Sequence, residues 1–296
     1  MNNQPPFSDF IIRGSAGRLG LALEREIYRR NSSLFKRNSN FRLGSLSLLS
    51  NTNAFLSRVA LIASGNSVSG SSLEICNADI NNLKEFLCFL EKESKLDFDD
   101  YMVYISSGGT VYGNGLEIKT ENSPLNPQSF YAEGKIKQEQ IVVNWCAKMG
   151  VTPIIFRIAN AYSLNFIDPK GFVEKVIHAA SNDSKISIFA SLESTKQYGT
   201  VNDYAYWILE NIREIHQNSE ISDANRTFFN LFPSNSYSLK SILEIIGSRF
   251  KISASELFKE LDLTKVNQTT ILNTVHDLKF INATWTSLEH SIFSIS

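Results

Sequence analysis

Cysteine is scarce in this chain of 296 residues. Cys76, Cys88 and Cys146 are odd in number and show no Cys-x-x-Cys spacing, which excludes a disulfide framework of the secreted kind and fits reduced thiols in a cytoplasm. Histidine is scarcer relative to its usual duties: His178, His216, His276 and His290 include no pair at ligand spacing, so no metal centre is expected. No uncharged apolar stretch approaches the length that spans a bilayer, and the opening "MNNQPPFSDF" has neither a basic segment nor an apolar run; no membrane anchor and no export signal are expected. A charge bias is missing as well. The formal net charge is −1, which gives no reason to expect nucleic acid or an anionic membrane as a partner.

What is present is apolar residue in quantity, 43% of the chain, enough to bury a large core. The apolar run "SDFIIR" at 8–13 breaks at glycine, and "LGLALEREIYRRN" then carries apolar residues at helical spacing. "SSLFKR" reads as a second short strand. "RVALIASG", "DYMVYISSGG" and "VTPIIFRIANAY" read as buried strands, with the helices "NADINNLKEFLCFLEKES" and "FYAEGKIKQEQIVVNWCAKMG" between them. Such alternation predicts an α/β fold, a Rossmann-type doubly wound parallel sheet over residues 1–165. Over 166–296 the pattern loosens into the helices "GFVEKVIHAAS", "DYAYWILENIREI" and "SLKSILEIIGSRF" and short strands, which predicts a smaller α/β substrate-binding lobe with segments returning to the first domain. Residues 38–57, rich in Ser and Asn, show no clear period.

Ligands of such sheets bind at the carboxyl ends of the strands, and the chemistry-bearing segments fall there. "GSAGRLG" (Gly14, Ser15, Ala16, Gly17, Arg18, Leu19, Gly20) spaces three glycines between the first strand and the first helix. Glycines in that position permit a tight turn and let backbone N–H groups approach a pyrophosphate. The second strand ends in Lys36 and Arg37, with no Asp or Glu nearby. An acidic residue there would accept from the ribose hydroxyl of NAD, whereas Arg accommodates the 2′-phosphate of NADP. The expected cofactor is therefore NADP or NAD, with NADP slightly favoured.

In "SFYAEGK", Tyr131 and Lys135 stand four residues apart on a helix, so their side chains rise from one face. A phenol is a poor base at neutral pH, and a nearby cation favours its anion. Of ten tyrosines, only Tyr131 has a lysine four residues on.

The glycine spacing at 14–20, "YISSGGTVYG" at 104–113, "NPQSFYAEGK" at 126–135, "FRIANAYS" at 156–163 and "TKQYGTVNDYA" at 195–205 occur in the order seen in extended short-chain dehydrogenases/reductases. The chain resembles their nucleotide-sugar epimerase/dehydratase family, and bacterial UDP-glucose 4-epimerase-like proteins in particular, over nearly its whole length. The resemblance implies a nucleotide-activated sugar as substrate and a cytoplasmic enzyme; it allows a homodimer. It makes Tyr131 the acid or base on a sugar hydroxyl while hydride passes to or from nicotinamide. Lys135 would lower the Tyr131 pKa and hold the nicotinamide ribose. Ala63, Ser64 and Gly65 would line the cofactor, Asn77 would lie near it, and Asn160 would contact the nucleotide sugar. The family's catalytic Ser or Thr falls here on Gly108, which leaves Ser107 or Thr110 to supply the hydroxyl. Its usual Arg–Asp is Lys196–Gln197, which leaves Lys196 as the cation for the substrate diphosphate.

Three readings follow from the residues. The first is a sugar 4-epimerase working by transient oxidation at C4; the second is an NADPH-dependent reductase of a nucleotide 4-ketosugar. The third is a non-catalytic nucleotide-binding protein, which Gly108 favours and the intact Tyr131–Lys135 pair opposes.

Overall fold

A computed structural model describes residues 7–31, 36–37, 46–50, 57–93, 96, 100–164, 169–217, 227–261, 268–276 and 284–295. The elements begin with β1 (Phe7–Arg13), α1 (Arg18–Asn31), β2 (Lys36–Arg37), β3 (Leu46–Ser50), β4 (Ser57–Ile62), α2 (Leu73–Lys92) and β5 (Tyr101–Ser107). Next come α3 (Gly108–Val111), β6 (Ile118–Lys119), α4 (Phe130–Met149), β7 (Thr152–Ile158), β8 (Asn160–Tyr162), α5 (Phe172–Ser181), β9 (Ile186–Ile188) and β10 (Thr195–Thr200). The chain closes with α6 (Val201–Gln217), β11 (Phe228–Leu231), β12 (Ser236–Ser238), α7 (Leu239–Phe250), β13 (Phe258–Leu261), β14 (Ile271–Leu272) and α8 (Leu288–Phe293). By their contacts these residues form two interleaved units. The first holds Met1–Ser107, Pro127–Arg157 and Tyr204–Phe229; the second holds Gly108–Asn126, Ile158–Asp203 and Asn230–Ser296.

The first unit is built on a seven-stranded sheet of order β11-β7-β5-β4-β1-β3-β2. β1, β4 and β5 run parallel, as the sequence predicts, because Val59–Ile62 and Met102–Ile105 are buried without alternation and so need cover on both faces. A parallel pair also needs a long crossover, which α2 supplies between β4 and β5. α2 buries Cys76, Asp79, Ile80, Leu83, Phe86, Leu87 and Leu90, the stripe expected of an amphipathic helix with one charged exception. α4 opens on Ser129, whose hydroxyl accepts from the Ala132 N–H at 3.2 Å, and stops at Gly150 with φ 72°, a left-handed cap that glycine adopts without strain. Ile11, Ala60, Met102, Phe86, Val142 and Trp145 meet in the core.

One strand departs from the parallel expectation. β3 pairs antiparallel with both β1 and β2, and it comes from the stretch whose sequence shows no period. Only residues 38–45 separate β2 from β3, too few for a parallel crossover and enough for an antiparallel return. As a result β2 does not border β1: Arg37 opposes Leu49, and Leu49 opposes Phe10.

The second unit carries small sheets, β12-β10-β8, β13-β9 and β14-β6. Its core gathers Tyr162, Val176, Ile177, Tyr198, Ile242, Leu243 and Leu288. Among the described residues no helix is long and apolar enough to cross a membrane, and no group of His, Cys, Asp or Glu could hold a metal ion.

Candidate active site

The turn after β1 packs against the end of β4. The Ala63 N–H donates to the Arg13 carbonyl at 3.0 Å, and the Gly17 N–H donates to the Gly14 carbonyl at 2.8 Å. Gly14 has φ 90°, and a Cβ there would come within 2.6 Å of the Ala63 carbonyl oxygen; one on Gly20 would come within 2.0 Å of the Gly14 oxygen. These two glycines are required by the fold itself. Gly17 differs. It is exposed, with Ala16, and a Cβ on it would meet only the Gly14 oxygen at 3.1 Å and the Ala63 oxygen at 4.0 Å. Bare backbone at Gly17, followed at once by the first turn of α1, suits an anion. A dinucleotide cofactor fits this cradle on the geometry of the turn, with Ser15 buried beneath and Arg18 and Leu19 leading into the helix. Ala63 and Ser64 are half-buried at the end of β4, and Gly65 is exposed with φ 144°.

α4 presents Tyr131 and Lys135 on one face, as the spacing requires, with Lys135 buried and Tyr131 half-buried. The Lys135 ammonium sits 5.9 Å from the centre of the Tyr131 ring. Its hydrogen bonds go elsewhere: Nζ donates to the Tyr104 hydroxyl at 3.2 Å and to the Ile105 carbonyl at 3.5 Å. The Tyr104 hydroxyl in turn donates to Gln138 Oε1 at 3.0 Å. Burial pulls the Lys135 pKa down to about 8, against the upward pull of Asp79, Glu139 and Cys76. Burial also raises the Tyr131 pKa, and Asp79 and Cys76 raise it further, while a hydrogen bond from Ser107 lowers it. The sequence leads one to expect Lys135 to lower the Tyr131 pKa. Here desolvation outweighs a cation that is engaged with another phenol, and Ser107 supplies the opposing pull.

Behind this pair the Glu139 carboxylate is buried with Arg157, at 2.7 Å, and accepts from the Ser106 hydroxyl. Arg157 also lies over the Phe228 ring at 4.4 Å. On α2, Asp79 is buried at the level of the loop after β4 and accepts from the backbone N–H groups of Asn66 and Ser67 at 2.9 and 2.8 Å. Asn77 lies on the exposed side of the same helix. Sequence reasoning passed over Asp79, Tyr104, Gln138, Glu139 and Arg157. Asp79 had a usable signal: it continues the apolar stripe of Cys76, Ile80 and Leu83, and a carboxylate on a buried face needs partners.

Of the remaining expected residues, Asn160, Thr110 and Lys196 belong to the second unit and Arg37 to the first. Asn160 donates its amide N–H to the Gln197 carbonyl at 3.1 Å, and a Cβ on Gly109 would lie 3.6 Å from the same amide nitrogen. Thr110 follows Gly109 on α3 and is half-buried. Lys196 is half-buried on β10, and burial lowers its pKa. Its neighbour Gln197 is structural, since its side-chain amide gives to the Leu272 carbonyl at 3.2 Å and accepts from the Leu272 N–H at 2.8 Å. Arg37 closes β2, level with Phe10 and two strand spacings from β1, about 10 Å; its side chain lies outside the described residues.

The family model described as the NAD dependent epimerase/dehydratase family matches residues 17–222. The Escherichia coli dTDP-4-dehydro-6-deoxyglucose reductase is 26% identical over 168 residues, 56% of this chain and 51% of that protein. A Methanocaldococcus jannaschii protein with the provisional name UDP-glucose 4-epimerase is 34% identical over 140 residues, 44% of this chain and 43% of its own length. The chain thus matches about half the length of these curated relatives. The solved UDP-glucose 4-epimerase of Thermotoga maritima, with UDP-glucose, shares the fold at a TM-score of 0.68 over 95% of both chains, with 15% sequence identity.

Proposed function

The chain belongs to the NAD dependent epimerase/dehydratase family, and on that premise we propose that it moves hydride and a proton at C4 of a nucleotide-activated sugar as a 4-epimerase, using NADP or NAD. The observation that carries the reading is the constellation on α4 and β5: Tyr131 and Lys135 on one face, with the Ser107 hydroxyl bonded to Tyr131. A bound nicotinamide supplies the acceptor and donor of the hydride. This chain's residues do the rest. Tyr131 takes the proton of the C4 hydroxyl in the oxidative half and returns it to the keto oxygen in the reductive half. Ser107 donates to the Tyr131 oxygen and so favours its anion. Lys135 adds positive charge beside the ring and would hold the ribose hydroxyls. The Gly17 backbone and the first turn of α1 receive the pyrophosphate, with Ala63, Ser64 and Gly65 at the neighbouring strand end. Asn160 and Lys196 meet the nucleotide sugar.

A second reading is a reductase of a nucleotide 4-ketosugar, and a specific observation favours it. Burial raises the Tyr131 pKa, which favours the protonated form that donates to a ketone oxygen. The likeness to the Escherichia coli reductase points the same way. The two readings differ in cofactor traffic, because an epimerase retains its cofactor through the cycle and a reductase exchanges it. Action in the cytoplasm, a homodimer and NADP ahead of NAD are further parts of the proposal that stand on the sequence alone.

Incubating the purified chain with UDP-glucose and cofactor, and separately with a dTDP-4-keto-6-deoxysugar and NADPH, tests both readings. Epimerised sugar without net cofactor turnover supports the first; stoichiometric NADPH consumption supports the second. Tyr131→Phe is expected to keep the fold and cofactor binding and to lose turnover by roughly a hundredfold or more. Wild-type turnover in that variant would remove Tyr131 from the chemistry.

A further inference from the structure

Tyr104 is fully buried in the middle of β5, where phenylalanine would fill the same space. Its hydroxyl therefore needs partners inside the fold. It has two among the described residues, and both come from α4: Lys135 Nζ donates to the oxygen at 3.2 Å, and the hydroxyl proton goes to Gln138 Oε1 at 3.0 Å. Gln138 and Lys135 are both buried and, three residues apart on α4, they share one face. β5 turns alternate side chains to that helix, Tyr104 to Lys135 and Gln138, and Ser106 to Glu139. The direction of the two bonds is forced. An ammonium only donates, so the Tyr104 oxygen accepts from it, and a phenol has a single proton, which is then left for Gln138.

We propose that Tyr104, oriented by Gln138, is a positioning residue that fixes the Lys135 ammonium on the face of α4 that carries Tyr131. This rests on the reading that Lys135 serves the reaction as a cation. Nζ lies 5.2 Å from the centre of the Tyr104 ring and 5.9 Å from that of Tyr131, close both to a phenol locked in the core and to one that is half-buried. Of its three N–H groups, one goes to the Tyr104 oxygen and one to the Ile105 carbonyl at 3.5 Å. These acceptors belong to neighbouring residues of β5, so they hold the end of a long flexible side chain against the strand and leave its third N–H for a ligand. Burial raises the Tyr104 pKa well above that of a free phenol, so the hydroxyl keeps its proton and stays a neutral acceptor across the range in which Lys135 titrates. The other groups bearing on Lys135 are Asp79 and Cys76 from α2 and Glu139 and Tyr131 from α4; removing the Tyr104 hydroxyl leaves all four side chains in place.

The test reads Lys135 directly, by NMR titration of the full chain with carbon-labelled lysine, the Lys135 signal being identified by its loss in Lys135→Met. Tyr104→Phe removes the hydroxyl and keeps the ring; Gln138→Met removes the acceptor that orients the hydroxyl and keeps the length of the side chain. The expected result is a Lys135 midpoint lower by about one unit in Tyr104→Phe and lower by less in Gln138→Met. The double variant should be no lower than Tyr104→Phe alone, because Gln138 reaches Lys135 only through the phenol. In turnover, kcat should fall about tenfold in Tyr104→Phe, with KM for the sugar nucleotide near wild type. An unchanged midpoint in Tyr104→Phe overturns the proposal even if that variant melts earlier, and so does a Gln138→Met shift as large in the Tyr104→Phe background as in the wild-type chain. Should Tyr104→Phe fail to fold, Gln138→Met decides by itself, a lowered midpoint supporting the proposal and an unchanged one overturning it. The midpoint is read without substrate, so a lowered midpoint with wild-type kcat upholds the hold of Tyr104 on Lys135 and overturns instead the reading of Lys135 as a cation of the reaction.

Discussion

Replacing Lys135 by Met should stabilise the folded chain near neutral pH while destroying its activity. Lys135 is buried, and burial draws its pKa from 10.5 to about 8. At roughly 1.36 kcal/mol per pKa unit, that depression corresponds to about 3 kcal/mol of unfavourable free energy for the charged form in the fold. The sign follows from proton counts. Between about 8 and 10.5 the unfolded chain holds the lysine proton and the folded chain has released it, so wild-type stability rises with pH across that window. Below it both states are protonated and the whole penalty is present. Met fills a similar volume without the charge, and Tyr104 keeps its bond to Gln138 at 3.0 Å. The variant loses the hydrogen bonds from Nζ to Tyr104 and to the Ile105 carbonyl, which together offset about 1–2 kcal/mol. A net gain of about 1–2 kcal/mol near neutral pH is therefore expected, shrinking as the pH climbs past about 8. Urea unfolding of both proteins without cofactor, near neutral pH and at two steps up to 10.5, reads the difference directly, because every other titrating group is common to the pair. A variant less stable than wild type near neutral pH, or a difference constant with pH, refutes the assignment of Lys135 as a desolvated cation. The same substitution should lower turnover by roughly a hundredfold or more and weaken cofactor binding, which makes this a site where function is retained against stability.

The glycine turn separates two kinds of substitution. Gly17→Val should leave the circular dichroism spectrum near wild type and abolish cofactor binding by calorimetry, whereas Gly20→Ala should destabilise the chain itself, since its Cβ would fall 2.0 Å from the Gly14 oxygen. Ser107→Ala removes the hydrogen bond that favours the Tyr131 anion, so turnover should fall about ten- to a hundredfold and its dependence on an ionised group should move to higher pH; Thr110→Ala should do less, and the reverse order would transfer the role to Thr110. Arg37 offers the third comparison. If it meets a 2′-phosphate, NADP should bind at least about tenfold more tightly than NAD, about 1.4 kcal/mol, and Arg37→Ala should erase the difference; equal affinities in the wild type would agree instead with the placement of β2 two strands from β1.

Much of the first unit was legible because its signals are local. An apolar run buried on both faces demands a parallel strand, a glycine between strand and helix permits a turn that no other residue makes, and four residues on a helix place Tyr131 and Lys135 on one face whatever surrounds them. The residues expected at strand ends, Gly14 to Gly20 and Ala63 to Gly65, follow β1 and β4 for that reason. The antiparallel β3 was not legible from its own residues, because Ser-rich alternation is weak; the shortness of the link from β2 was the better clue. Long-range packing sets where the two units of the chain begin and end. Tertiary structure alone also decided the charge chemistry. Sequence spacing could place an ammonium beside a phenol, yet the ammonium's bonds to Tyr104 and Ile105, the carboxylate of Asp79 and the hydroxyl of Ser107 all come from segments distant in the chain. A pKa depends on desolvation and on every nearby charge at once. Those quantities exist only after α2, α4 and β5 have packed, and no periodicity in the sequence encodes them.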